Sequence, residues 1–151
     1  MENINNRVFI HYGHKKFDNN LWDEIHNMKF CKPYGGLWAS DINAKFGWRD
    51  WNAEEHFTEC NDNNSFKFKL KKESKIYSIN NLEDLKKLPL EQSVPKEIQQ
   101  ISYCLDFEKI KKKYDALEVN ISKDKELYWK LYGWDCDSVL ILNKDCIEVI
   151  D

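Results

Sequence analysis

Alternating apolar and polar residues, or runs of β-branched and aromatic residues, predict the strands of this chain. Phe66, Phe68 and Leu70 alternate with lysines, a pattern typical of a strand with one buried face. The run from 7 to 12, with its β-branched and aromatic residues, ends at Gly13 and predicts another strand. Further strands are predicted at 37–39, 75–79, 116–120, 137–142 and 147–150.

Helical spacing of apolar residues predicts the helices of this chain. Apolar residues between Leu21 and Met28 recur on one helix face and predict a helix over 18–28, with Asp18 or Asn20 as its N-cap. Further helices are predicted at 47–59, 82–88 and 122–132, with one or two in 98–114 and Ser122 as a cap. Because strands and helices do not alternate strictly, the pattern predicts one α+β domain over 1–151 with mainly antiparallel sheets.

The composition narrows the class of protein. The chain has 151 residues and a mass of 18.2 kDa, enough for one domain with a sizeable core. Its hydrophobic fraction of 42% and aromatic fraction of 14% indicate a folded, aromatic-rich protein. A net charge of −3 and a pI of about 5.8 argue against a general binder of nucleic-acid phosphates.

The five cysteines bear on the compartment. Their number is odd and no two have the C-x-x-C spacing, so the sequence indicates neither a disulfide framework nor a zinc knuckle. Reduced thiols in a cytoplasmic protein are therefore predicted. The N-terminal residues show no basic segment followed by an apolar one, so no signal peptide is expected. No apolar run reaches membrane-spanning length, so no membrane association is expected.

The stretch from 31 to 51 holds three of the six tryptophans and three of the five glycines. Pro33 and the pair Gly35 and Gly36 predict a tight turn, followed by a short strand that carries Trp38. Bare backbone amides beside a flat ring suit a planar, amide-bearing ligand. The same residues also fit a plain hairpin turn with a tryptophan in the core.

Metal and thiol chemistry are the other candidates. The residues His11, His14, His26 and Cys31 open with an H-x-x-H pattern, but their spacing matches no zinc site. No residue near Cys31 in sequence is fixed as a base that would activate its thiol. We therefore predict no metal site and a plain cysteine.

Three short motifs follow one another along the chain. The first strand ends in His-Tyr-Gly at 11–13, and the second motif reads Gly-Gly-Leu-Trp-Ala-Ser at 35–40. Near the C-terminus, Asp137 precedes the apolar run 138–142, an Asn-Lys-Asp turn and Ile147. In this order the motifs resemble the ADP-ribosyltransferase superfamily, which includes bacterial toxins and the poly-ADP-ribose polymerases.

The resemblance covers 8–150 and concerns members with a His–aromatic–acid triad. These carry H-G on the first strand, G-[LI]-[YFW]-[FA] on the second, and an acid before a later apolar strand. The resemblance implies an ADP-ribosyltransferase-like fold of split β-sheets flanked by helices. This chain departs from the pattern in two ways: Tyr12 separates the histidine from the glycine, and Asp137 replaces the usual glutamate. Asp135 and Glu118 remain rival candidates for the acid.

The resemblance also implies roles in cleaving NAD. Cleavage of the nicotinamide–ribose bond passes through an oxocarbenium-like state, and Asp137, on the ribose 2′-hydroxyl, would stabilise that state electrostatically. His11 would bind ribose hydroxyls, and Trp38 would face the pyridinium ring. The implied NAD-binding residues are His11, Tyr12, Gly13, Gly36, Leu37, Trp38, Ser40 and Trp48. Each of these, taken singly, also fits an ordinary core or capping residue.

The resemblance implies a mono-ADP-ribosyltransferase that uses NAD as substrate. Its acceptor would be an intracellular macromolecule, with protein favoured over nucleic acid. A toxin, or a bacterial or phage factor of defence or counter-defence, fits the small size and reduced cysteines. Two alternatives remain open: an NAD glycohydrolase on the same fold, and a non-enzymatic interaction module that kept the fold.

Overall fold

The computed structural model describes residues 6–28, 32–55, 62–131 and 134–150, and all seven predicted strands are confirmed within them. The strands are β1 (Phe9–Tyr12), β2 (Leu37–Asp41), β3 (Ser65–Leu70), β4 (Ile76–Ile79), β5 (Ala116–Val119), β6 (Ser138–Ile141) and β7 (Ile147–Ile150). They form one sheet in the order β4-β5-β6-β2-β1-β3-β7.

Five α-helices accompany the sheet in the described residues, which confirms the α+β class. They are α1 (Trp48–Glu55), α2 (Leu82–Lys86), α3 (Lys96–Ile101), α4 (Phe107–Ile110) and α5 (Lys125–Lys130). The side chains of Asn81, Asp106 and Asp124 cap α2, α4 and α5 by accepting hydrogen bonds from first-turn backbone N–H groups. Residues 47–55 of the helix predicted at 47–59 are described, and 56–59 lie outside the described residues.

The sheet is mainly antiparallel, as predicted. Five of the six strand pairings are antiparallel, and β4 pairs with β5 in parallel. The strands form a single sheet instead of the split sheets that the resemblance implies. The narrowest join lies between β1 and β2, where only Phe9↔Asp41 and Ile10↔Ser40 are in register.

Each face of the sheet carries its own hydrophobic core, because successive side chains on a strand point to opposite faces. On one face, Leu117 and Leu140 pack with apolar residues of α2, α4 and α5. On the other face, Phe9, Phe68 and Val139 pack together. The first cluster lies between the sheet and these helices and is called the helix-side core. The second is formed mainly by strand residues and is called the strand-side core.

The prediction of a helix over 18–28 is wrong. Only Asn19–Leu21 forms a short 3₁₀ turn, and residues 22–28 have no regular secondary structure apart from a β-bridge at His26. His26 and Tyr34 exchange backbone hydrogen bonds of 3.0 and 2.9 Å. Trp22 and Ile25 are still buried, as the spacing suggested, but they lie in a segment that is bridged to Tyr34 and not in a helix.

Other helix boundaries also differ from the predictions. The segment 98–114 contains α4 and the end of α3, separated by an extended stretch in which Leu105 pairs with Leu90. Ser122 lies in a 3₁₀ turn, and Asp124 caps α5 in its place. None of the described helices is both long and apolar enough to span a membrane.

The prediction that the cysteines are reduced is wrong at Cys104, which is disulfide-bonded. Cys136 and Cys146 are buried and take part in no disulfide. Cys31 and Cys60 lie outside the described residues. Disulfides are uncommon in cytosolic proteins, so the bond weighs against the cytoplasmic location predicted from the sequence.

Candidate functional site

The three strands that carry the sequence motifs lie side by side. β2 stands between β1 and β6 and runs antiparallel to both. Trp38 on β2 is in register with Leu140 on β6, and Ser40 is in register with Ile10 on β1. Motifs separated by more than a hundred positions along the chain therefore meet within the width of three strands.

His11 occupies the place where the ladder between β1 and β2 stops. Its Nδ1 lies 2.6 Å from the backbone oxygen of Trp38, and its Nε2 lies 3.0 Å from Nδ1 of His14. Because a carbonyl oxygen only accepts, Nδ1 of His11 carries the proton and donates. The ring thus substitutes for a missing backbone hydrogen bond between the two strands.

Burial sets the charge state of His11. The side chain is 8% exposed, and its ring packs at 5.1 Å from the ring of Phe66. Burial lowers the pKa of His11, partly opposed by its hydrogen bond to the oxygen of Trp38 and reinforced by neighbouring His14. The neutral imidazole is therefore the favoured form in the fold.

Trp38 is part of an aromatic cluster on the opposite face of the sheet from His11. Its ring lies edge-on to Trp134 at 4.6 Å and to Trp48 at 6.2 Å, and Trp48 meets Trp51 at 5.9 Å. Trp38 packs against the helix-side core but remains half-buried. Trp38 thus packs on the surface of this core and is partly exposed to solvent.

Lys32 covers this aromatic cluster with its ammonium group. Nζ lies 5.3 Å from the ring centre of Trp38 and 6.0 Å from that of Trp48, within range of a cation–π contact. Burial lowers the pKa of Lys32, while the charges of Asp135 and Cys136 oppose that change. The face of Trp38 proposed for a pyridinium ring therefore already has a cation of the protein beside it.

The turn before β2 is built as predicted, but its amides are not all bare. Gly35 and Gly36 have φ values of +88° and +73°, a region that favours glycine. The N–H of Gly36 donates to the backbone oxygen of Asp23 at 2.9 Å. Leu37 is buried in the strand-side core. The expectation that the amide of Gly36 is bare beside the ring is therefore wrong.

Gly13 and Tyr12 lie at the open end of β1. The N–H of Gly13 donates to the oxygen of Asn64 at 2.8 Å, and the residue has φ +114°. Tyr12 lines a cleft of about 310 Å³ together with Ser40 and Trp48. Three of the predicted NAD-binding residues thus share one cleft.

Asp137 immediately precedes β6, and its buried carboxylate ties two loops together. It accepts hydrogen bonds from the N–H of Phe46 at 3.2 Å and from the N–H and hydroxyl of Ser122 at 2.8 and 2.6 Å. The hydroxyl of Ser40 donates to the backbone oxygen of Asp137 and accepts from the N–H of Trp48. Ser40 therefore connects the backbone at Asp137 to the start of α1 at Trp48.

Glu118 and Arg7 form an ion pair in the cavity that Asp137 also lines. The sequence indicates Glu118 as a candidate acid but not its pairing with Arg7. The guanidinium of Arg7 binds both carboxylate oxygens of Glu118 and one of Asp41, the latter at 2.8 Å. Ser78 donates a further hydrogen bond of 2.8 Å to Glu118. A glutamate inside the otherwise apolar strand β5 is a visible signal, but its partner lies 111 positions away.

Glu118 and Asp137 line one polar cavity of about 740 Å³, which residues of β2, β4 and β6 also line. Arg7 and Asp41 belong to the same cavity. Its other polar lining residues are Asn43, Lys45, Ser78, Asn80, Asn120, Ser122, Lys123 and Ser138. The cavity therefore contains two of the three acids considered from the sequence.

The predicted site residues fall into three neighbouring groups. His11 packs on the strand-side core, Trp38 packs on the helix-side core with Trp48 against its ring, and Asp137 lines the polar cavity. Searches of protein-family models, curated proteins and solved structures find no match for this chain. In the described segments no three His, Cys, Asp or Glu side chains are grouped to hold a metal ion. A functional interpretation therefore depends on the geometry and the motif resemblance together.

Proposed function

We propose that this protein cleaves NAD at the nicotinamide–ribose bond and transfers ADP-ribose to a macromolecule. The observation that supports this most is the adjacency of β1, β2 and β6, because the three resembling motifs lie on these strands. Strand adjacency depends on long-range pairing and is independent of the local sequence match. A chance match of short motifs carries no requirement that their strands be neighbours.

In this proposal the polar cavity stabilises the positive charge that develops on the ribose. Loss of nicotinamide leaves positive charge on the ribose, and a fixed carboxylate next to that carbon stabilises it. Asp137 is proposed as this acid, held rigid by Phe46 and Ser122. Glu118 lines the same cavity and is the rival, although its oxygens are shared with Arg7.

Tyr12 and Trp38 would act on the nicotinamide side, and His11 would support them from the other face of the sheet. The neutral ring of His11 fixes the spacing of β1 and β2 at the point where their ladder ends. Trp38 offers its open part to a planar ring, and Lys32 would have to move aside or share that face. A pyridinium ring would lose its cation–π attraction once the bond breaks, which favours product release.

The acceptor in this proposal is a macromolecule of the compartment where the protein acts, with protein favoured over nucleic acid. The predicted cytoplasmic site of action stands as part of the proposal, with the disulfide of Cys104 as evidence against it. A role as a toxin or as a factor of phage defence belongs to the same proposal.

Incubation of the purified protein with NAD labelled on the adenylate portion and with a cell lysate tests the proposal. Label on protein or nucleic acid is the expected result. Label released only as free ADP-ribose would assign an NAD glycohydrolase instead. Intact NAD in every lysate, from a protein with a cooperative melting transition, would favour a non-enzymatic interaction module and contradict the proposal.

A further inference from the structure

The polar cavity has an acidic base. Glu118 and Asp137 are each 4% exposed there, and Asp41 lies beside them. Arg7 is the cation paired with Asp41 and Glu118. Arg7 and the neighbouring donors of Asn43, Ser78, Phe46 and Ser122 occupy part of the acceptor capacity of the three carboxylates. A carboxylate has about four acceptor positions, so capacity remains for a ligand rich in hydroxyl donors.

The rim of the same cavity is basic. Lys45 and Lys123 line the cavity, and both side chains are exposed. Lys123 Nζ also lies 3.2 Å from the amide oxygen of Asn80. Rim cations above an acidic base give the cavity a gradient of charge from outside to inside.

Asp137 joins the two chain segments that carry the rim lysines. Its carboxylate accepts from the backbone of Phe46, the residue after Lys45, and from the backbone of Ser122, the residue before Lys123. The two chain segments that carry the lysines are thus joined through one buried carboxylate. The backbone of these segments is held in place before any ligand arrives, which reduces the entropy cost of binding.

We propose that this cavity binds a sugar phosphate, with the phosphate on Lys45 and Lys123 and the sugar hydroxyls on the carboxylates and Asn120 at the base. A phosphate meets its preferred charge at the rim, and hydroxyl donors meet acceptors inside. None of the described lining residues is aromatic, so the cavity offers no surface for stacking a nucleobase. The volume of about 740 Å³ falls within the usual range for small-molecule sites.

This inference rests on the proposed function only for its place in a reaction, since NAD contains a ribose joined to phosphate. The ligand chemistry itself follows from the cavity. Lys45 and Lys123 become binding residues, and Asp137 becomes the residue that joins their chain segments.

Calorimetric titration of the full chain with ribose 5-phosphate, ribose and inorganic phosphate tests the inference at low and moderate salt. Ribose 5-phosphate should bind at least about tenfold more tightly than either part alone, because each part uses a different half of the cavity. Its affinity should fall as salt rises, since the phosphate contacts are exposed. 2-Deoxyribose 5-phosphate should bind more weakly than ribose 5-phosphate, because one hydroxyl is missing at the base.

The double variant Lys45→Gln/Lys123→Gln should weaken ribose 5-phosphate binding about tenfold or more and leave the weak binding of ribose unchanged. Lys112→Gln, an exposed lysine outside the cavity lining, is the matched control and should bind as the wild type does. All three positions are exposed, so the variants test binding without disturbing the core.

Three results would overturn the inference. They are no binding of ribose 5-phosphate at millimolar concentration, equal binding of phosphate alone, and unchanged binding in the double variant. If the wild type binds ribose 5-phosphate but leaves NAD intact, the sugar-phosphate site stands and the proposed function fails. If the wild type cleaves NAD but does not bind ribose 5-phosphate, the proposed function stands and the sugar-phosphate site fails.

Discussion

At the scale of single residues, His11 provides a pH-dependent test of the structure. Burial lowers its pKa in the fold, whereas the unfolded chain takes up a proton near the ordinary value of about 6.5. Below that pH the unfolded state binds more protons than the native state, so stability is lost as the pH falls. Above it both states are neutral at this residue, and its effect vanishes.

We therefore expect the free energy of unfolding of the wild type to drop more between about pH 7.5 and about pH 5.5 than that of His11→Asn. Asparagine keeps a donor close to the position of Nδ1, so the hydrogen bond to the oxygen of Trp38 can persist. Urea unfolding at both pH values measures the difference. Equal losses in the two proteins would contradict the assignment of a buried neutral histidine.

Trp38 separates a packing role from a binding role. Trp38→Ala removes the contacts with Trp134 and Trp48 and should cost about 3 kcal/mol of stability. Trp38→Phe keeps an aromatic ring in the core and should cost less. If Trp38 also contacts NAD, Trp38→Phe should weaken NAD binding, measured by titration at a temperature where the variant is folded. Normal NAD affinity in Trp38→Phe would assign the ring to the core alone.

Residue-scale sequence reasoning succeeds where the signal is local. Trp38 and Asp137 stand out because short motifs surround them. The pairing of Arg7 with Glu118 joins residues 111 positions apart, so no local pattern shows it. The same applies to the contact of Lys32 with the aromatic cluster, because it depends on how the turn before β2 folds.

At the scale of elements, Gly36 fixes the start of β2 against β6. An added Cβ would lie 2.7 Å from the oxygen of Ile141 and 2.8 Å from Cδ1 of Ile25, at a φ of +73°. Gly36→Ala should therefore lower the free energy of unfolding by about 2–4 kcal/mol, from backbone strain and overpacking together. Chemical denaturation of the wild type and Gly36→Ala measures this difference in the free energy of unfolding.

Gly13→Ala is the matched control for that change. Gly13 also has a positive φ, but the nearest atom to its added Cβ is Nε2 of His11 at 3.9 Å. Backbone strain alone should cost about 1–2 kcal/mol. Equal losses at Gly13 and Gly36 would show that close packing between β2 and β6 is not what requires glycine at 36.

Element-scale predictions failed where tertiary contacts override local periodicity. Residues 21–28 carry apolar side chains at helical spacing, and that spacing is real in so far as Trp22 and Ile25 are buried. An added Cβ at Gly35 would collide with the backbone oxygens of Asp23 and Glu24, so the segment passes directly over this glycine. That close approach is a property of the turn and the segment together.

At the scale of the whole molecule, the number of strands is predictable and their order is not. Alternation and β-branched runs identify each strand locally. In the order β4-β5-β6-β2-β1-β3-β7, β6 lies beside β2 although β2 ends at Asp41 and β6 begins only at Ser138. Such pairings, and the parallel contact of β4 with β5, depend on which faces can be buried together.

The catalytic assignment also belongs to this scale, because Asp137 combines a structural and a proposed chemical role. In Asp137→Asn, the amide can no longer accept all three hydrogen bonds from Phe46 and Ser122. A loss of about 1–3 kcal/mol of stability is therefore expected even without any catalytic role. Activity must be compared at a temperature where the melting curve shows the variant folded.

The release of nicotinamide from NAD, measured for wild type, Asp137→Asn and Glu118→Gln, tests the central claim most directly. We expect release by the wild type and a decrease of about 10²–10³-fold in folded Asp137→Asn, with NAD affinity changing much less. Asp145→Asn, an exposed carboxylate near β7, should behave as the wild type. Normal release by Asp137→Asn with loss in Glu118→Gln would move the acid to β5, and no release by the wild type would contradict NAD cleavage itself.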